Sequence, residues 1–189
     1  MMAFLGIRVP LEIARRLSGI SVPGQKEAPG RMHITILDLG DDVPVDQIAT
    51  ATNAIFNVLK GCKPIPVETS LVSCFDSGEG GGYPIICRVE SSELHKLREQ
   101  LKIALDEAGV AYSKKYPEYV PHVTLAYSKE KVTDQLMDPV GWTVAELVLW
   151  GGDNGDDKLT VTFPLSLGSK KTKGASFRAM IRIAGWHRR

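Results

Sequence analysis

The sequence predicts an α+β chain built from two loosely similar halves, each bringing one signature strand and at least one helix to a sheet. Three observations carry this. The pattern His-x-Thr occurs twice, as His33-Ile34-Thr35 and His122-Val123-Thr124, each inside an apolar stretch of strand formers. Helical periodicity and strand alternation succeed one another along the chain. The length of 189 residues suits one domain, or one domain made of two similar lobes.

The elements run in order. Phe4 to Val9 reads as a strand, and Pro10 can open a short helix through Leu17. Pro23, Gly24, Pro29 and Gly30 mark a loop over 21–30 that delivers the chain to the first signature strand, which ends at Gly40. Ile48, Ala51, Ile55 and Leu59 recur on one helical face, and Gly61 suits a left-handed stop. Residues 65–75 and 83–90 read as strands around a glycine-rich hairpin, 77–82, which precedes a strand and not a helix and so is no phosphate cradle. Leu94, Leu97, Leu101 and Leu105 stripe a helix over 92–108, with Ser91 or Ser92 as its cap and Gly109 as its end. The second signature strand comes next. Strands over 142–150 and 159–165 close the body, joined by a turn at 151–155.

Composition excludes several classes. No apolar run approaches the roughly 18 residues needed to span a bilayer. The N-terminus lacks the basic and apolar regions of a signal peptide. Cys62, Cys74 and Cys87 are odd in number without CxxC spacing, as expected of reduced thiols in a cytoplasmic protein. Net charge is +1, yet residues 166–189 hold seven basic residues and no acid, leaving a mildly acidic body. Such a body is not built to coat long duplex nucleic acid.

In an extended strand, side chains at i and i+2 share a face. Each signature therefore offers one imidazole and one hydroxyl side by side. Two copies facing each other across a groove would supply two proton carriers and two hydrogen-bond donors, a kit for acid–base chemistry on a phosphodiester. One copy would mean little; the matched pair carries the reading. Neither HExxH nor His-x-His nor DxD occurs, so neither a metal nor another cofactor is expected.

These residues resemble the 2H phosphoesterase superfamily, the group of LigT-like 2′–5′ RNA ligases, cyclic phosphodiesterases and their phage-encoded relatives. The most specific piece is Pro121-His122-Val123-Thr124-Leu125-Ala126, and the Leu-rich helix before it fits as well. The resemblance covers most of residues 3–165. It implies a two-lobed α+β fold, antiparallel sheets with helices outside, and a central cleft with a metal-independent active site. His33, Thr35, His122 and Thr124 match the catalytic positions. Residues 1–167 then form the catalytic domain, and 168–189 a basic extension of unplaced role. The expected substrate is a nucleotide or RNA end with a 2′- or 3′-linked phosphodiester, a 2′,3′-cyclic phosphate included; some phage relatives degrade a cyclic nucleotide signal. The competing reading is a binding module without catalysis.

Secondary candidates surround the second signature. Tyr116, Tyr119 and Tyr127 could stack a base or bond a phosphate. Tyr127 shares a face with His122 only if a bulge shifts the strand's phase, which ranks Tyr119 above it. Glu146 is expected on one strand face with Trp142 and Trp150, where it could orient a histidine or read a base edge. Phe177, Ala179, Ile181 and Ile183 alternate with polar or long side chains, as an added strand or partner-binding arm would.

Overall fold

The computed structural model describes residues 1–76, 82–153, 156–165 and 180–183. In chain order these form β1 (Met2–Arg8), α1 (Leu11–Ser18), β2 (Gln25–Lys26), a 3₁₀ turn (Pro29–Arg31), β3 (His33–Gly40), α2 (Val45–Leu59), β4 (Ile65–Cys74), β5 (Tyr83–Glu90) and α3 (Ser92–Glu107). After these come β6 (His122–Ser128), β7 (Gln135–Leu136), β8 (Gly141–Val144), β9 (Glu146–Asp153), β10 (Asp156–Pro164) and β11 (Met180–Ile183). The glycine-rich stretch at 77–81 and most of the basic tail lie outside the described residues.

Two antiparallel sheets result. The first has the order β11-β10-β9-β1-β3, and the second β2-β6-β5-β4-β7 with β8 also on β4. β3, at the edge of the first sheet, touches β6 of the second. The signature strands therefore meet at the junction. Each belongs to a strand–helix–strand unit, β1-α1-β3 in one half and β5-α3-β6 in the other. α2 and α3 pack on each other and against strands of both sheets, and one continuous apolar core runs from Leu5, Ile34 and Phe163 to Ile85, Val123 and Leu101. The left-handed stops expected at Gly61 and Gly109 are present, with φ of +87° and +68°.

Two expectations need correcting. The run 142–150 is two strands, not one. Pro66↔Thr143 pairing holds β8 in the second sheet, whereas Leu5↔Leu149 holds β9 in the first, and the chain changes sheets at Ala145. Trp142 and Glu146 thus do not share a strand face. The start of α3 also lacks a side-chain cap: Ser91 Oγ donates instead to the carbonyl of Pro66 at 3.1 Å, tying the helix entry to β4. In the tail, β11 pairs antiparallel with β10, so an added strand does form at 180–183.

Candidate active site

The accessible face of each signature strand is set by its burial pattern. In β3, Ile34, Ile36 and Leu37 are buried while His33, Thr35 and Asp38 are half-buried. In β6, Val123, Leu125 and Ala126 are buried, His122 and Thr124 half-buried, and Tyr127 exposed. Both patterns break alternation at the same place, and for the same reason. Leu5 pairs with Leu37 and Gly6 with Thr35, leaving Ile36 as an extra residue in β3. Ile85 pairs with Ala126 and Ile86 with Thr124, leaving Leu125 extra in β6. A bulge shifts the phase of the strand residues beyond it. It brings Asp38 onto the His33 face and Tyr127 onto the His122 face.

A bulge also frees carbonyls from the ladder, and both are met from elsewhere. Arg98 Nε donates to Ile36 O at 3.2 Å, and the backbone N–H of Glu27 donates to Leu125 O at 2.8 Å.

The two imidazoles are oriented alike. His33 Nδ1 lies 2.8 Å from the carbonyl of Arg31, and His122 Nδ1 lies 2.7 Å from the carbonyl of Val120. A carbonyl oxygen only accepts, so Nδ1 carries the hydrogen in both rings and Nε2 is left to take up or release a proton. The flanking ladders match as well: Val9 N–H donates to Met32 O and Val89 N–H to Pro121 O.

Aromatic rings back both histidines. His33 lies 5.2 Å from Phe4 and 6.0 Å from Trp150, which stack on each other at 5.0 Å. Gly6 leaves room for that indole: a Cβ there would stand 3.1 Å from the Trp150 ring and 2.6 Å from the Ile34 carbonyl oxygen. His122 meets Phe75 edge-on at 4.8 Å. Burial, chiefly, holds the His122 pKa below its ordinary value; the Val120 hydrogen bond opposes this, and the charge of His33 adds to the lowering. The two imidazoles therefore lie within electrostatic reach of each other. Among the described residues, no group of three or more His, Cys, Asp or Glu is arranged to hold a metal ion.

The secondary candidates divide. Tyr127 reaches the His122 face through the bulge and is half exposed, at 50%. Tyr119, ranked above it from sequence, turns away under α3: its ring lies 5.2 Å from His95 and 4.8 Å from the guanidinium of Arg98. Its hydroxyl is buried without a hydrogen-bond partner, and burial raises its pKa far above the usual phenol value. Tyr116 is exposed on the loop before β6, with Lys115 Nζ 5.4 Å above its ring. Glu146 lies exposed at the start of β9, beside a cavity of about 430 Å³ that Arg8 also lines.

Three arginines escaped the sequence reading. Arg98 is buried on α3, donates to Ile36 and Tyr116 carbonyls, and covers Tyr119. The signal was a cation inside the Leu94–Leu105 stripe. Arg8 pairs in register with His33, and Arg88 with His122. Their signal was the dipeptide Arg-Val, which recurs near the end of the strand before α1 and of the strand before α3.

Residues 10–156 match the family model of the 2'-5' RNA ligase superfamily. The chain belongs to that superfamily. It is a phosphoesterase of the 2H type. Solved structures share the fold at low identity. TT0787 of Thermus thermophilus is 19% identical, with a TM-score of 0.66 over 88% of this chain and 96% of that one. Escherichia coli LigT complexed with 3'-AMP is 18% identical, with a TM-score of 0.55 over 87% and 94%. The MHV ns2 PDE domain is 17% identical, with a TM-score of 0.52 over 79% and 98%. No curated protein sequence matches the chain. Among the described residues, no helix of this 2H phosphoesterase is long and apolar enough to cross a membrane.

Proposed function

We infer that this 2H phosphoesterase cleaves a 2′- or 3′-linked phosphodiester in an RNA end, a 2′,3′-cyclic phosphate or a small cyclic or linear oligonucleotide, without a metal ion. The observation that carries the reading is the matched tether of the two imidazoles, Nδ1 to a carbonyl two residues upstream in both strands. That tether fixes the tautomer and leaves two equivalent Nε2 atoms to share acid and base roles. With a cyclic phosphate, one neutral histidine takes a proton from the attacking water as the new P–O bond forms. The other, protonated, gives its proton to the ribose oxygen as the old P–O bond breaks. Each histidine thus ends in the other's starting state, and proton exchange with solvent resets the pair. Thr35 and Thr124 donate hydrogen bonds to the non-bridging oxygens as negative charge builds.

Relatives lend support to a nucleotide substrate. LigT structures hold phosphate, 3'-AMP, NADP+ and ATP, and the MHV domain is a PDE. The acidic body favours a small nucleotide over a long duplex, and the three unpaired cysteines suit the cytoplasm.

The test is a cleavage panel in EDTA, wild type beside His122→Ala. It comprises nucleoside 2′,3′-cyclic phosphates, 2′–5′ and 3′–5′ oligoadenylates, and cyclic di- and trinucleotides, resolved by chromatography. Turnover of one class, lost in the variant, is the expected result. Unchanged turnover in the variant rules out the mechanism, and tight binding without turnover by the wild type points to a binding module.

A further inference from the structure

Each histidine has an arginine directly across from it on the neighbouring strand. Arg8 opposes His33 in the β1–β3 ladder, and Arg88 opposes His122 in the β5–β6 ladder. Residues opposed in this way carry their Cβ atoms on one face, about 4.5–5.5 Å apart. The strand order is β1 then β3 in one sheet and β6 then β5 in the other, with β3 against β6. Across the junction the residues therefore run Arg8, His33, His122, Arg88. Two cations stand one strand outside the two imidazoles.

Among the described residues, nothing neutralises either cation. Among the described residues, no carboxylate lies within ion-pairing distance of either guanidinium. Arg8 is exposed and rests 5.7 Å from the centroid of Trp150, the indole beside His33. Arg88 is half-buried, and its Nε is fully buried with no hydrogen-bond partner. A buried N–H without an acceptor is costly to keep. A guanidinium left in that state beside a proton carrier is suited to an acceptor that arrives with the ligand, and its planar fork matches phosphate.

We propose that Arg8 and Arg88 are two anion subsites, one in each sheet, that hold the phosphates on either side of the scissile one. The preferred substrate is then an internal linkage of an oligonucleotide chain or ring, with a phosphate on each neighbouring nucleotide. This rests on the reading of His33 and His122 as the reacting pair. A strand spacing of about 4.8 Å plus the length of an arginine side chain spans one nucleotide step. The cavity of about 430 Å³ lined by Arg8, Pro10, Pro29, Trp142 and Glu146 offers volume for the nucleoside beyond that step. A mononucleoside cyclic phosphate would leave both subsites empty.

The probe is a deoxydinucleotide of mixed base sequence phosphorylated at both ends, compared with the same dinucleotide lacking the terminal phosphates. Deoxyribose has no 2′-hydroxyl for internal attack, so calorimetry on the full chain reads binding without turnover by that route. The terminal phosphates should tighten binding to the wild type at least tenfold, more at low than at high salt. Arg8→Gln and Arg88→Gln should each remove most of its share, and Arg8→Lys and Arg88→Lys should restore part of it. Equal affinity for the two probes, no binding of the phosphorylated probe at millimolar concentration, or an unchanged ratio in both glutamine variants overturns the proposal. Cleavage of a nucleoside 2′,3′-cyclic phosphate tests the histidine pair separately. Arginine-dependent binding without any cleavage fails the reaction alone, and cleavage without discrimination between the probes fails the subsites alone.

Discussion

Arg98 on α3 donates from Nε to the carbonyl of Ile36 in β3 at 3.2 Å, across 62 residues of sequence. The acceptor is the extra residue of the bulge just after Thr35. The same guanidinium reaches Tyr116 O at 3.4 Å and covers Tyr119, on the segment that leads into β6. One side chain thus braces both signature strands.

Arg98→Met keeps much of the length and apolar stem but leaves two carbonyls without this donor. Stability should fall by about 1–3 kcal/mol, read by denaturant unfolding. Because the substitution shifts β3 against β6, kcat should drop roughly 10- to 100-fold with little change in KM. Arg98→Lys should recover part of the loss. A change in KM alone would mean that Arg98 meets substrate and does not act as a brace.

The titration of His122 is governed by its lowered pKa. Burial favours the neutral ring, and the charge of a protonated His33 makes a second proton harder to add. By NMR, the midpoint of His122 should lie below 6.5 and rise in His33→Gln, while staying below 6.5 because burial remains. For stability the sign is that of a depressed histidine. The contribution is complete above the unfolded value of about 6.5 and is lost as pH falls through the folded value, since the unfolded chain binds the proton first. Acidification over that window should therefore lower the wild-type melting temperature more than that of His122→Gln. A midpoint at or above the ordinary histidine value of 6.5 would contradict this environment.

Thr35→Val and Thr124→Val retain the β-branched shape and remove only the hydroxyl. Each should lower kcat by a factor of ~10²–10³ if the hydroxyl meets charge that develops in the transition state. A rise in KM at constant kcat would assign the threonines to ground-state binding instead.

Tyr127 and Tyr119 should behave in opposite ways. Tyr127→Ala removes an exposed ring from the His122 face and should raise KM several-fold for a base-containing substrate. Tyr119→Phe removes a buried hydroxyl that has no partner, so activity should hold and melting temperature should stay level or rise. Loss of activity in Tyr119→Phe would return that residue to the site.

Most elements were readable because their signals are local. Leu94, Leu97, Leu101 and Leu105 spell a helix, and Gly109 ends it. The change of sheet at Ala145 was not readable: apart from Glu146 the run from Trp142 to Trp150 is strand-compatible throughout, and no turn residue interrupts it. Nor were the bulges, since Ile36 and Leu125 are ordinary strand residues whose displacement shows only in the pairing. For that reason the sequence places Tyr127 below Tyr119. Arg8 and Arg88 stand beside histidines that are distant in sequence or separated by a helix, so only the ladders reveal the neighbours.

Both carbonyls that orient the imidazoles lie two residues upstream on the same chain segment. Orientation is therefore settled within each half once its strand exists. On the proposed mechanism, the gap from β3 to β6 then decides how well one phosphate bridges the two rings, and it also decides how strongly a proton on one ring is felt by the other. Beside the burial that chiefly lowers the His122 pKa, the pH profile expected of that reaction carries the width of the junction.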